Sequence, residues 1–179
     1  GPYHTGANLS KEEIRTLMIK RVTLSDDFDL YTRLLNQAFA TVAEEFGLTR
    51  ENAPTNNAFI TAEILKCQLT DKREFYYFSE IGDVNGFIAI EKSSRSEDVF
   101  YIEKLAVAPL LRHKGIGRKL MAFATERIKQ SGGRKISIGL IDSNQTLKKW
   151  YQLQGFKEIE IKTYDHLPFD VCLMEKVIS

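Results

Sequence analysis

Cysteine is scarce in this chain of 179 residues, with Cys67 and Cys172 as the two representatives. They stand far apart, in no Cys-x-x-Cys pair and beside no residues at metal-ligand spacing. That pattern excludes a disulfide framework and a thiol redox motif, and buried, reduced thiols are expected. The histidines His4, His113 and His166 also lack ligand-like companions, so no metal is expected. Long apolar runs are missing as well. None approaches the roughly 20 residues of a membrane span and no secretory leader is visible, so no membrane partner and a cytoplasmic location are expected. Excess charge of one sign is absent: 25 basic and 24 acidic residues give a formal net charge of +1. Nothing in that balance drives the chain toward nucleic acid or an anionic membrane. Repeats and low-complexity segments are lacking too. The length fits one domain with a core large enough to hold without staples. The opening Gly1-Pro2, with no initiator Met, reads as a protease scar and is set aside with the short helix that follows (residues 1–16), leaving 17–179 as a single domain.

Against this plain background one stretch stands out, Leu110-Leu111-Arg112-His113-Lys114-Gly115-Ile116-Gly117-Arg118-Lys119-Leu120-Met121. It follows an apolar run, Val99 to Val107, and Pro109, and it opens into a helical pattern. Five potential cations, Arg112, His113, Lys114, Arg118 and Lys119, fall within eight residues. A loop that turns into a helix offers free backbone N–H groups at the positive end of the helix dipole, which suits a pyrophosphate. Glycine lets the phosphate reach the main chain with no Cβ in the way. The clustering argues for a small anionic ligand rather than a long polyanion. The run also lacks interleaved aromatics, which argues against a nucleic-acid module.

Two familiar phosphate loops do not fit. A dinucleotide fingerprint needs a third glycine where Leu120 stands, and a nucleoside-triphosphate loop needs a Gly-Lys-Ser or Gly-Lys-Thr string that does not occur. Arg112-x-x-Gly115-x-Gly117 after a strand does match the acyl-CoA signature of the GCN5-related N-acetyltransferases. Further on the chain reads Ile138-Gly139-Leu140-Ile141, then Asp142-Ser143-Asn144, then a helical stretch ending Trp150-Tyr151-Gln152-Leu153-Gln154-Gly155-Phe156. A strand, an Asn and a helix with Tyr four residues before Gly-Phe resemble that family's second cofactor motif. The resemblance spans roughly Thr23 to Lys176, with the strong motifs confined to Val99–Phe156.

Periodicity fills in the rest. Helical patterns run from Leu9 to Leu17, with Ser10 and Glu13 as a capping box, from Ser25 to about Phe46, and from Ala58 to Leu69. Gly47 to Asn57 reads as a loop. Strands are expected at Met18–Thr23, Glu74–Ser79, Phe87–Glu91, Val99–Val107, Lys135–Ile141, Phe156–Ile161 and Phe169–Val177, with a hairpin at Gly82–Gly86. Helices are expected at Gly115–Gln130, stopped by Gly132-Gly133, and at Asn144–Gln154. The resemblance implies the matching α/β fold, the acyl-CoA N-acyltransferase fold: a mixed central sheet of about seven strands flanked by helices, whose central strands splay to admit the pantetheine arm.

Acetyl-CoA is the co-substrate the resemblance implies, with an amine as acceptor. The backbone of Leu105, Ala106 and Val107 would pair with pantetheine and polarise the thioester, while Arg112, His113, Lys114, Gly115, Ile116, Gly117, Arg118 and Lys119 would hold the pyrophosphate. Asn144 would bond the cofactor or cap its helix. Tyr151 matches the family's donor to the departing thiolate; its alternative is a core aromatic against Leu147. Glu103 is the one charge along Val99, Tyr101, Glu103, Leu105 and Val107, where desolvation would raise it toward the range of a general base. Its alternatives are a structural ion pair with Lys104 or an arginine, and a water chain could serve as base. Trp150 reads as packing. The acceptor is expected to be a small amine, polyamine-like or other, with a protein N-terminus or lysine as the alternative and a non-catalytic acyl-CoA sensor behind both. Glu44, Glu45, Glu51 and Asp165 could attract a cationic amine or could be solvated surface. Monomer and homodimer both stay open.

Overall fold

The computed structural model of the protein describes residues 9–11, 18–80 and 82–178. The expected helix over Leu9–Leu17 and its capping box therefore lie largely outside the described residues.

The first described strand, β1 (Ile19–Arg21), is shorter than its pattern. Helix α1 (Phe28–Glu45) begins three residues later than Ser25 suggests. Asp26 ties off the turn before it by accepting from Thr23 N at 3.0 Å and Tyr31 Oη at 2.7 Å, and Asp27 is the N-cap, accepting from Asp29 N. A carboxylate caps a helix well and also complements its dipole, so the Asp pair sets the start. Helix α2 (Ala62–Gln68) also starts later than Ala58, at the Thr61 cap. The residues before it are held in turns: Asn56 Oδ1 accepts from Ala58 N, and Asn36 Nδ2 of α1 donates to the carbonyls of Asn57 and Ile60.

Strands β2 (Arg73–Phe78), β3 (Gly86–Lys92) and β4 (Val99–Val107) follow, then α3 (Ile116–Gln130), β5 (Lys135–Ile141), α4 (Gln145–Leu153), β6 (Lys157–Lys162) and β7 (Val171–Val177). They form one seven-stranded sheet in the order β1-β2-β3-β4-β5-β7-β6. Among the described strands only β4 and β5 pair in parallel, and α3 is the crossover that a parallel pair requires. One face of the sheet packs on α1 and α2 through Tyr31, Leu35, Leu65, Phe75, Phe87 and Ala89. The other packs on α3 and α4 through Phe78, Ile88, Ile102, Leu120, Ile128 and Met174. This is the mixed, helix-flanked α/β sheet that the pattern implies.

Two irregularities shape the centre of the sheet. Strands β4 and β5 share three rungs, Val99–Lys135, Phe100–Ile136 and Tyr101–Ser137, and no register partners join them beyond. Six residues of β4 and four of β5 therefore run on without pairing each other, which opens a gap. On its other side β4 carries a bulge: Phe87 faces Ala106 but Ala89 faces Glu103, so Lys104 and Leu105 together oppose Ile88. Lys104 adopts φ 54°, the left-handed conformation of a bulge residue.

The bulge corrects the simple alternation along β4. Glu103 lies with Val99 and Tyr101 on the α1/α2 face, opposite Ala89, whereas Leu105 and Val107 pack against the core of the α3/α4 face. One added residue reverses the pleat, so Glu103 does not share a face with Leu105 and Val107.

Candidate active site

The glycine-rich loop forms the entry to α3. After the single turn at Pro109–Leu111, His113 takes φ 65° and Gly115 takes φ 84° as the helix N-cap. A Cβ on Gly115 would meet little, so its glycine is required by conformation rather than space. The first hydrogen bond of the helix runs from Lys119 N to Gly115 O at 3.0 Å, which leaves the N–H groups of Ile116 and Gly117 ahead of it without helical partners. A Cβ on Gly117 would lie 3.6 Å from Trp150 Cζ2 and 3.7 Å from Val107 Cγ2. The end of β4, the start of α3 and α4 thus converge at Gly117, at the open end of the gap. Trp150, read from the sequence as packing, is therefore also a wall of this corner.

The basic side chains do not all turn to the loop. Arg112 reaches back to α1, donating to the Ala38 carbonyl at 2.8 Å and to Thr41 Oγ1 at 3.4 Å. Those bonds anchor the loop to the helix that covers the opposite face. Asn144 caps α4, accepting from Leu147 N at 3.2 Å, and is buried.

Tyr151 sits in the α3/α4 core, 8% exposed, with Trp150 and Phe156 edge-on at 5.1 and 5.5 Å between ring centroids. Its hydroxyl makes no hydrogen bond among the described residues. Burial pushes its ionisation well above the usual tyrosine range, so the phenol keeps its proton.

Glu103 belongs to a charged cluster on the α1/α2 face that its spacing in the sequence did not reveal. Arg73 Nη2 lies 2.5 Å from Glu91 Oε2 and 3.5 Å from Glu103 Oε1, and Arg73 Nη1 donates to the Gln68 carbonyl at the end of α2. Burial, reinforced by the adjoining Glu91 carboxyl, raises Glu103 to about 7. Glu91 moves the other way, held below the usual carboxylate range by its hydrogen bond with Glu103 and by Arg73. Burial lowers Lys104 to about 8, and its ammonium donates to Asn57 Oδ1 at 2.7 Å. An arginine does approach Glu103, as one alternative reading of the sequence allowed, but a second carboxylate holds it more closely.

Among the described residues, one group of potential metal ligands comes together, Asp142, Glu158 and Cys172. Sequence spacing hides it because the three lie on β5's end, β6 and β7. Lys148 Nζ stands where a cation would, 2.7 Å from Asp142 and 2.8 Å from Glu158. Cys172 is buried as expected, whereas Cys67 is exposed, which corrects the expectation for that thiol; both are free. Glu44, Glu45, Glu51 and Asp165 are exposed, as solvated surface charges are. No helix among the described residues is long and apolar enough to cross a membrane.

With this geometry in hand, the comparisons with known proteins agree. Residues 40–156 match the Acetyltransferase (GNAT) family. An uncharacterised N-acetyltransferase of Lactobacillus delbrueckii subsp. lactis is 25% identical over 126 residues, covering 64% of this chain and 72% of that one. The ribosomal-protein-S18-alanine N-acetyltransferase of Escherichia coli has the same fold at TM-score 0.70 and 16% identity, over 90% of this chain and 93% of that chain. So does an aminoglycoside 6'-N-acetyltransferase complexed with coenzyme A, at TM-score 0.66 and 17% identity, over 90% of this chain and 97% of that chain.

Proposed function

The chain belongs to the GNAT acetyltransferase family, an acetyl-CoA-dependent acyltransferase, and within it we propose that it acetylates a primary amine of a small molecule by direct attack in a ternary complex. The observation that carries this reading is the placement of Glu103 and Tyr151 on opposite faces of the sheet, in β4 and in the core against which its end packs. A thioester lying in the gap between β4 and β5 has a candidate base on one side and a proton-holding phenol on the other.

The chemistry follows from that arrangement. The pyrophosphate sits at the N-terminus of α3 against the Ile116 and Gly117 amides, with Lys114, Arg118 and Lys119 supplying charge. Pantetheine adds to the unpaired edge of β4 as an extra strand would, and Asn144 adds a polar contact at the far wall. Glu103 takes a proton from the acceptor ammonium, and the free amine attacks the thioester carbonyl. The N–C bond forms, and charge collects on the carbonyl oxygen, where a main-chain N–H of Leu105, Ala106 or Val107 meets it. The C–S bond then breaks, Tyr151 gives its proton to the leaving thiolate, and the new amide nitrogen loses its second proton to solvent as the phenolate regains one, leaving a neutral amide and the coenzyme A thiol. Holding both reactants in one site makes the attack effectively unimolecular.

A small acceptor suits the setting of Glu103, where the Lys104–Asn57 and Arg73–Gln68 contacts tie the sheet to the segment before α2 and to the end of α2. The test is release of coenzyme A thiol from acetyl-CoA across polyamines, aminoglycosides (included because a neighbour in fold acts on them), and peptides with a free N-terminus or an internal lysine. Release with polyamines or aminoglycosides, and not with peptides, is the expected result. Release confined to peptides would replace the small-molecule reading with acetylation of protein.

A further inference from the structure

The carboxyl of Glu103 is not an isolated base in an apolar recess. Register places Arg73 opposite Glu91 and Glu91 opposite Tyr101, and Glu103 follows two residues along on the same face. The guanidinium of Arg73 bridges both carboxyl groups from β2, with one nitrogen, Nη2, 2.5 Å from Glu91 and 3.5 Å from Glu103, so a single donor draws the two carboxyls together. Its Nε is buried with no partner, so the group is held by these contacts and the Gln68 carbonyl. Two carboxyls and one guanidinium balance when the carboxyls share a single proton. Two carboxylates this close cannot both ionise cheaply, and one arginine cannot neutralise both.

We propose that Glu91 and Arg73 are positioning residues for Glu103, forming with it one proton-sharing unit across β2, β3 and β4 that receives the acceptor's proton and returns it to solvent through Glu91. The unit rests on the reading of Glu103 as the base. The proton taken by Glu103 from the ammonium passes between the two carboxyls that Arg73 gathers; no electrons move and no co-reactant is needed. Glu91, a half-buried residue next to the end of β3, is the member nearer the sheet's margin. The titratable and charged groups facing Glu103 among the described residues are Arg73 from β2, Glu91 from β3, and Lys104 and Tyr101 from β4. The segment before α2 and α2 itself contribute Asn57 and the Gln68 carbonyl, neither of which titrates.

The two positioning residues act on Glu103 in opposite senses. Glu91 raises its affinity for a proton through charge and through the hydrogen bond it accepts; Arg73 lowers it. The experiment follows the glutamate carboxyl carbons by 13C NMR in the full-length protein as pH is varied, with no acceptor needed, and identifies the Glu103 signal by its loss in Glu103→Gln. In the wild type that signal is expected to titrate near 7. Glu91→Gln is expected to move the midpoint down by about one pH unit or more, and Arg73→Gln to move it up. If Arg73→Gln fails to fold, Glu91→Gln decides alone. A wild-type midpoint in the ordinary glutamate range, or one that Glu91→Gln leaves in place, overturns the proposal. Its failure is distinct from failure of the underlying reading. Coenzyme A thiol release with an amine of the active class tests that reading, and undiminished turnover in Glu103→Gln would remove Glu103 as base whatever the NMR midpoints show.

Discussion

Tyr101 of β4 and Ser137 of β5 form the last rung that these two strands share. Past them the central sheet is open, and the loop entering α3 stands at the opening. An exposed backbone edge would ordinarily invite another chain. In the proposed function this edge seats the extended ligand arm and the helix N-terminus takes its phosphates.

Tyr151→Phe separates packing from chemistry. The ring, buried against Trp150 and Phe156, keeps its contacts, and its hydroxyl has no partner among the described residues to lose. Stability and acetyl-CoA affinity are therefore expected to hold, while turnover falls about tenfold or more, the usual worth of a general acid. Calorimetry and thiol release on the same preparation check it. Unchanged turnover under conditions where the chemical step limits the rate would leave Tyr151 as a core aromatic.

Glu103→Gln has a signature in stability as well as in rate. Glu103 binds its proton more tightly in the folded protein, at about 7, than at its ordinary value of 4.5. Its contribution is thus fully present below the ordinary value and is lost as pH rises through 7. The glutamine variant loses no such term, so urea melts are expected to show it equal to the wild type near pH 4. At pH 8 it should be more stable by on the order of 1 kcal/mol, after allowance for partial exposure. Turnover should fall at neutral pH and partly recover at higher pH, where more amine is already neutral. A variant less stable than the wild type at pH 8 would instead mark Glu103 as the charge that holds Arg73.

Lys148 gives the fold a separate test. It is 8% exposed and lies between Asp142 and Glu158, with its ammonium held charged well above the usual lysine range by those two carboxylates. Lys148→Ala would leave the carboxylates facing one another without a cation, at a cost of about 2 kcal/mol, discounted because Glu158 is exposed. Glu158→Gln, which removes an exposed carboxylate and leaves Asp142 beside Lys148, should cost less. Equal melting temperatures for Lys148→Ala and wild type would mean that the bridge contributes nothing.

What could be read in advance follows from distance along the chain. Arg112–Lys119, Asn144, Tyr151 and Gly155-Phe156 are local signals: a loop entering a helix, a cap and a helical spacing, each complete within a dozen residues. The strands and the flanking helices were legible for the same reason, apart from ends set by Asp27 and Thr61 where several capping residues compete. The Arg73–Glu91–Glu103 cluster is assembled from three strands, and no spacing in sequence predicts it. The bulge at Lys104 leaves no mark either, since lysine has no preference for φ 54°, and alternation carried through it assigns Leu105 and Val107 to the wrong face. Arg112, chosen for its charge beside glycine, spends its guanidinium on Ala38 of a helix 74 residues away.

The central claim is that acetyl-CoA is held with its pyrophosphate on the Ile116 and Gly117 amides of the first turn of α3. Isothermal titration of acetyl-CoA into the wild type and Gly117→Asp tests it most directly. Position 117 has room for a side chain, its nearest neighbours for a Cβ being 3.6 and 3.7 Å away, so the variant should fold. Its carboxylate would then face the phosphates at the helix N-terminus. One-to-one binding at micromolar affinity in the wild type and none in a folded Gly117→Asp is the expected result; equal affinity in both would contradict the account.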